Sequence, residues 1–171
     1  MNDVRTRTGE TNAIAGGRRG WWLEDAVPGA TLRHPGGRTI VDGEHVWLAW
    51  ITHNISDVHG NADAAGRSEW GQPLVLGMLT TAIVIGLAAP ADGPPEGIVG
   101  DWPDGWGSIA LERPVVAGDT ISAESVIADV EGGAGTDTGR VRRTIIGRNQ
   151  REEVVVRIED ERQVLRRPTV A

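Results

Sequence analysis

The densest run of reactive side chains in the chain is Thr52-His53-Asn54-Ile55-Ser56-Asp57-Val58-His59-Gly60-Asn61. A histidine here can move a proton, because imidazole ordinarily titrates near neutral pH. The plainer reading of an isolated loop histidine is that it only satisfies backbone carbonyls, and His53 fits that or a pocket-edge role better than catalysis. His53 and His59 without a clear third ligand make a weak metal site, so no metal is expected. Ser56 near His59 has the residue types of a nucleophile and its base, but no nucleophile-elbow pattern surrounds it. Asp57 is of a type common in turns. Missing residue types narrow the chemistry further. There is no cysteine, hence no thiolate and no Cys-based zinc. All 17 basic residues are arginine, hence no Schiff-base lysine, and the absence of tyrosine excludes a phenolic acid.

A chain of 171 residues makes one ordinary domain with a sizeable core. Its formal charge of -7 argues against nucleic acid as a partner, since no basic stripe is available to displace phosphate counterions. The 24 glycines and 9 prolines are spread along the chain and imply many turns rather than disorder. Residues 1–20 are polar and rich in Gly, Arg and Thr, and read as a flexible N-terminal arm without the apolar core of a signal peptide. Residues 21–171 then form a single domain, expected to be cytoplasmic. Residues 73–91 carry no charge and approach the length of a membrane span, but Gly77, Gly86, Pro90 and the Thr80-Thr81 pair favour a helix buried inside the domain. No membrane partner is expected.

The elements that would position the reactive run follow from periodicity. Thr39-Ile40-Val41 is β-like. Asp42 is placed to cap a helix reaching about Thr52, with Val46, Trp47, Trp50 and Ile51 on its apolar face. Trp47 and Trp50 are expected in the core, standing in for the missing Phe and Tyr. Asn61 can cap a turn over residues 62–67, and Pro73 can open the long apolar helix. Residues 92–106, with Trp102 and Trp106, read as a Gly/Pro loop able to act as a lid. Beyond it the period becomes two. Ile109 and Leu111 alternate with polar neighbours, residues 120–130 form a strand whose parity slips between Ala123 and Val126 as at a β-bulge, and Asn149-Gln150-Arg151 turns a hairpin. Gly-rich residues 16–20 and 132–135 are loops without phosphate-loop spacing. Arg142, Arg143, Arg148 and Arg151 can meet a diphosphate or an acidic carrier, although exposed sheet-edge arginines that discourage aggregation are the more common case. The order calls for an α+β fold in which a curved antiparallel sheet wraps a central helix.

Downstream of the reactive run stand Ala64-Ala65 and then Gly71-Gln72-Pro73-Leu74-Val75-Leu76-Gly77-Met78-Leu79; further on come Glu112-Arg113-Pro114-Val115 and Gly118-Asp119-Thr120. In order and spacing these resemble the MaoC-like acyl dehydratases, the (R)-specific enoyl-thioester hydratases of the hot-dog fold, over most of the chain from about Gly37 to Pro168. The resemblance implies an α+β hot-dog fold, a homodimer, and an acyl thioester of coenzyme A or a carrier protein as substrate, with no cofactor. It matches His59 to the family's catalytic histidine and Gly77 to the glycine whose N–H holds the thioester oxygen. Such an N–H at a helix start has the positive end of the helix dipole behind it. Asn54 stands where the family has its catalytic aspartate, and Ser56-Asp57 where it has Asn-Pro. An amide orients water but does not take its proton at neutral pH, which leaves His59 as the acid–base group unless Asp57 or His53 moves in. Ser56, Asp57, Leu76 and Trp70 are the expected substrate contacts. Three activities remain open at this level: hydration or dehydration of an enoyl or 3-hydroxyacyl thioester; a repurposed step such as thioester hydrolysis, elimination or cyclisation; or a catalytically silent subunit.

Overall fold

A computed structural model describes residues 13–14, 21–89, 105–132 and 135–168. The chain runs β1 (Ala13–Ile14), a 3-10 turn (Leu23–Asp25), β2 (Thr31–Arg33), β3 (Arg38–Thr39), α1 (Asp42–Ile51), α2 (Asp57–Gly60), α3 (Ala62–Gly66), α4 (Gly77–Ala88), and then β4 (Gly105–Leu111), β5 (Thr120–Glu131), β6 (Thr138–Arg148) and β7 (Val154–Leu165). The strands lie in the order β1-β2-β5-β6-β7-β4, with β3 also on β5. Every pairing is antiparallel except the short parallel β1–β2 contact. Of the expected arm, Ala13–Ile14 is this strand. The rest of residues 1–20, most of the expected lid including Trp102, and part of the 132–135 loop lie outside the described residues.

Helix α4 packs on β5, β6 and β7. It buries Thr80, Thr81, Ile83, Val84 and Ala88 over Ile121, Ala123, Ile145, Val156 and Ile158. The close approach depends on Gly147. A Cβ there would lie 2.5 Å from a Val84 methyl and 2.8 Å from one of Val156. Two expectations about α4 need correction. The helix opens at Gly77 rather than Pro73, because the N–H groups of Leu74 and Val75 are drawn off to the carbonyls of Val58 and Val115 at 2.9 and 2.8 Å. Nor is it inaccessible all round, since Met78 is 65% exposed. Its twelve residues rise about 18 Å, and among the described residues no helix is long and apolar enough to cross a membrane.

Helix α1 also differs from expectation. Asp42 is its first helical residue, not its cap. Val41 takes the cap position, where the carboxylate of Glu44 accepts its N–H at 2.9 Å. The face turned inward holds His45 and Ala49. Trp47 and Trp50 are therefore not core residues; they are 67% and 69% exposed and tilt against each other at 6.4 Å. Periodicity identified an apolar stripe correctly but could not say which stripe meets the rest of the chain.

The sheet's inner face is divided. The cluster under α4 ends at Ala123, Ile145 and Ile158, and a second cluster of Trp21, Leu23, Ala26, Ala30, Leu32, Ile127, Val141 and Val164 gathers under the N-terminal segment. Between them on β5, β6 and β7 lie Ser125, Arg143, Asp160 and Arg162, all buried. Arg143 holds Asp160 through both oxygens at 2.8 and 2.9 Å, Arg162 reaches the same carboxylate at 3.0 Å, and His34 pairs with Ser125 at 2.7 Å. Inward-facing Ser125 explains the slip suspected near Ala123. The alternation there is unbroken, and the real register shift falls later, between Ile127 and Asp129. Arg143 is accordingly no surface arginine. Arg142 is exposed and paired with Asp129, Arg148 holds Glu124, and Arg151 holds Glu153 and Asp119. The expected hairpin turn follows β6, with Asn149 Oδ1 accepting the N–H groups of Arg151 and Glu153 at 3.0 and 3.1 Å.

Two consequences are measurable. Gly147→Ala forces a methyl into the α4 contact and should destabilise the fold by about 1–3 kcal/mol in urea denaturation. Burial, with Arg143 and Arg162 beside it, pushes the His34 pKa down to about 4, against the opposing charges of Asp160 and Glu124. A depressed histidine binds its proton more readily unfolded. Its stabilising contribution is present above about pH 6.5 and is lost as pH falls toward 4. The urea midpoint of the wild type should fall across that window more steeply than that of His34→Gln.

Candidate active site

The site is assembled from the end of α1 onward. The helix closes with His53 in the left-handed region at φ 54°, its N–H on Trp50 O at 3.1 Å and the N–H of Asn54 on Ala49 O at 2.8 Å. This pair of bonds is the Schellman arrangement, usually built on glycine. His53 is thus a helix terminator. Asn54 follows with its Oδ1 accepting the Ser56 N–H at 3.1 Å, which turns the chain into α2. Asp57 receives a hydrogen bond from Asn61 Nδ2 at 3.3 Å, and Asn61 caps α3 as expected by accepting the Ala64 N–H at 3.1 Å.

His59, on the single turn of α2, is half-buried and tied to the segment before α4. Its Nδ1 lies 2.9 Å from Leu74 O, while Leu74 N–H bonds Val58 O at 2.9 Å. A carbonyl only accepts, so Nδ1 carries the hydrogen and Nε2 of the neutral ring keeps a free lone pair. The next residue, Val75, bonds Val115 O, and Leu74 bridges to Val116, so the histidine is held in place through the strand-like segment that follows β4.

A cleft of ≈ 390 Å³ opens beside this histidine. Its walls include His59, Trp70, Gly77, Thr80, Leu111 and Arg113. Gly77 is the first residue of α4, so its N–H has no acceptor within the helix. A Cβ at Gly77 would meet the end of the exposed Leu111 side chain, which would have to turn aside. Three residues singled out from the sequence, His59, Gly77 and Trp70, therefore share one cleft. Asn54, Ser56, Asp57 and Leu76 do not line it; Leu76 is buried just before α4, and the other three are exposed. Neither Asp57 nor His53 supplies a second acid–base group there. Thr80, Leu111, Val155 and Arg113 are wall residues not assigned from the sequence, although Arg113 lies within a motif noted for its resemblance. Among the described residues no group of three or more His, Asp or Glu side chains gathers as a metal site.

No protein-family model matches the chain, and no curated protein does. Solved structures do. A MaoC-like dehydratase from Rhodospirillum rubrum superposes with a TM-score of 0.73 at 24% identity, over 88% of this chain and 100% of that one. The chain has the hot-dog fold. A monoamine oxidase regulatory protein from an Archaeoglobus species matches with a TM-score of 0.72 at 21% identity, over 87% of this chain and 97% of its own. The (R)-hydratase PhaJ1 from Pseudomonas aeruginosa gives 0.62 at 19%, over 88% and 91%. The hot-dog architecture expected from the motif order is thus present, with α4 as the central helix and β5–β7 as the sheet beneath it.

The left-handed turn generates a prediction. His53→Gly removes the steric cost of a side chain at positive φ and should raise stability by roughly 0.5–1 kcal/mol, read as an increase in the thermal midpoint. A decrease would show that the His53 side chain makes a contact worth more than the strain.

Proposed function

We propose that the protein hydrates enoyl thioesters, or dehydrates the corresponding 3-hydroxyacyl thioesters, carried on coenzyme A or a carrier protein. The observation supporting this reading is that His59, with its Nδ1 tied to Leu74 O, and Gly77, at the start of α4, line one cleft. With the thioester carbonyl against Gly77, the donor and the helix dipole favour the negative charge that develops on oxygen when a nucleophile adds to the β-carbon. His59 Nε2 accepts a proton from water as the hydroxyl bonds to that carbon, and the same proton then passes to the α-carbon as the carbonyl reforms. Dehydration is the reverse. The reaction needs no cofactor, and the similarity of the fold to dehydratases and hydratases supports it. A homodimer accords with the open apolar groups Trp47, Trp50, Ile51 and Met78, which a second copy can cover.

One observation favours a second reading. Asn54 lies outside the cleft lining with its Oδ1 already engaged, so a water there lacks the oriented partner that the family's aspartate supplies. That arrangement suits a repurposed or silent hot-dog protein. Consumption of a short enoyl thioester by wild type and three variants decides between the two. In a hydratase His59→Ala loses on the order of 10²–10⁴-fold, the usual worth of a placed acid–base group. Asn54→Ala loses less, because it removes at most one neutral hydrogen bond. Asn54→Asp is as fast as wild type or faster. An active wild type matched by His59→Ala overturns the mechanism. An inert wild type that Asn54→Asp renders active points to the second reading.

A further inference from the structure

The cleft wall contains one arginine, Arg113, and its electrostatic surroundings are unusual for this molecule. The chain carries a formal charge of -7, and most of its described arginines are held by carboxylates, among them Arg38, Arg67, Arg140, Arg142, Arg148, Arg151, Arg157 and Arg167. Arg113 is held more loosely. Its ion pair with Glu153 Oε1 spans 3.9 Å, beyond hydrogen-bonding distance. Glu153 is already engaged through its other oxygen, which accepts from Asn149 at 2.8 Å and from Arg151 at 2.9 Å. The adjacent acid on the cleft wall, Glu112, is neutralised by Arg157 at 2.6 Å. The result is a guanidinium on the cleft wall whose ion pair is long and made to a carboxylate that Arg151 also holds, with its side chain 58% exposed.

The backbone that carries Arg113 is held in a defined place. Arg113 comes two residues after Leu111, whose side chain packs on Gly77, and two before Val115, whose carbonyl accepts the Val75 N–H. Pro114 between them has a fixed φ. Arg113 and Gly77 therefore line the same cleft. A planar fork of donors fits the oxygens of a phosphate better than an ammonium would.

We infer that Arg113 binds a phosphate of the phosphopantetheine arm while the thioester carbonyl rests against Gly77, so that it selects phosphorylated carriers over the bare acyl thioester. The inference rests on the thioester reading above. A carboxylate on the acyl group offers the same anionic chemistry, and the experiment separates the two.

The test compares kcat/KM for one short enoyl group carried on coenzyme A and on N-acetylcysteamine, which has no phosphate. Wild type, Arg113→Gln, Arg113→Lys and the distant control Arg33→Gln are used, with folding checked by thermal melting. In Arg113→Gln the preference for the coenzyme A ester should fall about tenfold, through KM rather than kcat, as expected for loss of a charge-assisted bond. Arg113→Lys should restore part of it, and Arg33→Gln should keep the wild-type preference. Equal losses on both thioesters overturn the inference. So does a loss confined to enoyl groups bearing a terminal carboxylate, whichever carrier is used, which assigns the anion to the acyl chain. If wild type turns over neither ester, the hydratase reading fails separately, and calorimetric titration with coenzyme A itself decides for Arg113. Binding about tenfold weaker in Arg113→Gln supports the phosphate contact, whereas equal or absent binding overturns it.

Discussion

The seating of α4 against β5, β6 and β7 is the contact on which the rest of the molecule depends. The helix is apolar on every side, and the sheet covers the face holding Thr80, Thr81, Ile83, Val84 and Ala88 while Met78, Ala82 and Gly86 stay exposed. Gly147 lets Val84 come down onto β6, and there the absence of a side chain sets how closely helix and sheet approach.

A second constraint runs across the sheet. Ser125, Arg143, Asp160 and Arg162 interrupt the apolar inner face and separate the core under α4 from that under the N-terminal segment. Buried charge is costly unless paired, and here one carboxylate is met by two guanidinium groups, one of them through both oxygens. Removing Arg143 leaves Asp160 to Arg162 alone, and removing Asp160 takes the carboxylate away from two buried guanidinium groups. The pair also restricts register, because a one-residue slip of β6 against β7 would turn Arg143 to the face opposite Asp160 and bring the apolar residues of β6 out.

These constraints meet at His59. The one-turn helix that carries it has too few internal bonds to hold a side chain still, and its position comes from outside: Val58 and His59 clasp Leu74, Val75 bonds Val115, and the segment between Pro114 and Asp119 returns to the sheet at β5. The cleft is a joint product of the loop after α1, the start of α4 and the end of β4, which explains how residues far apart in sequence come to face one space. The same geometry leaves Asn54 at the surface, engaged in the turn that feeds α2.

Much of this was legible from residue order. Asn61 as a cap, the period-two strands, the Asn149 turn and the Pro-x-x-x-Gly spacing ahead of an uncharged helix are local signals, and each depends on residues within a few positions of one another. His59 and Gly77 could be singled out because the motifs around them resemble those of the MaoC-like dehydratases. What the sequence could not resolve involved partners distant along the chain. Whether Trp47 and Trp50 or His45 and Ala49 face inward depends on what lies beside α1. Whether Ser125 marks a bulge or an inward polar residue depends on His34, and whether Arg143 is a surface charge or a buried one depends on Asp160. Pro73 does not start α4, and the N–H groups that follow it go to Val58 in α2 and to Val115 between β4 and β5. Periodicity reports that a stripe or an alternation exists. Only tertiary contact selects the stripe that loses its water, because desolvation and pairing act between surfaces and not along the chain.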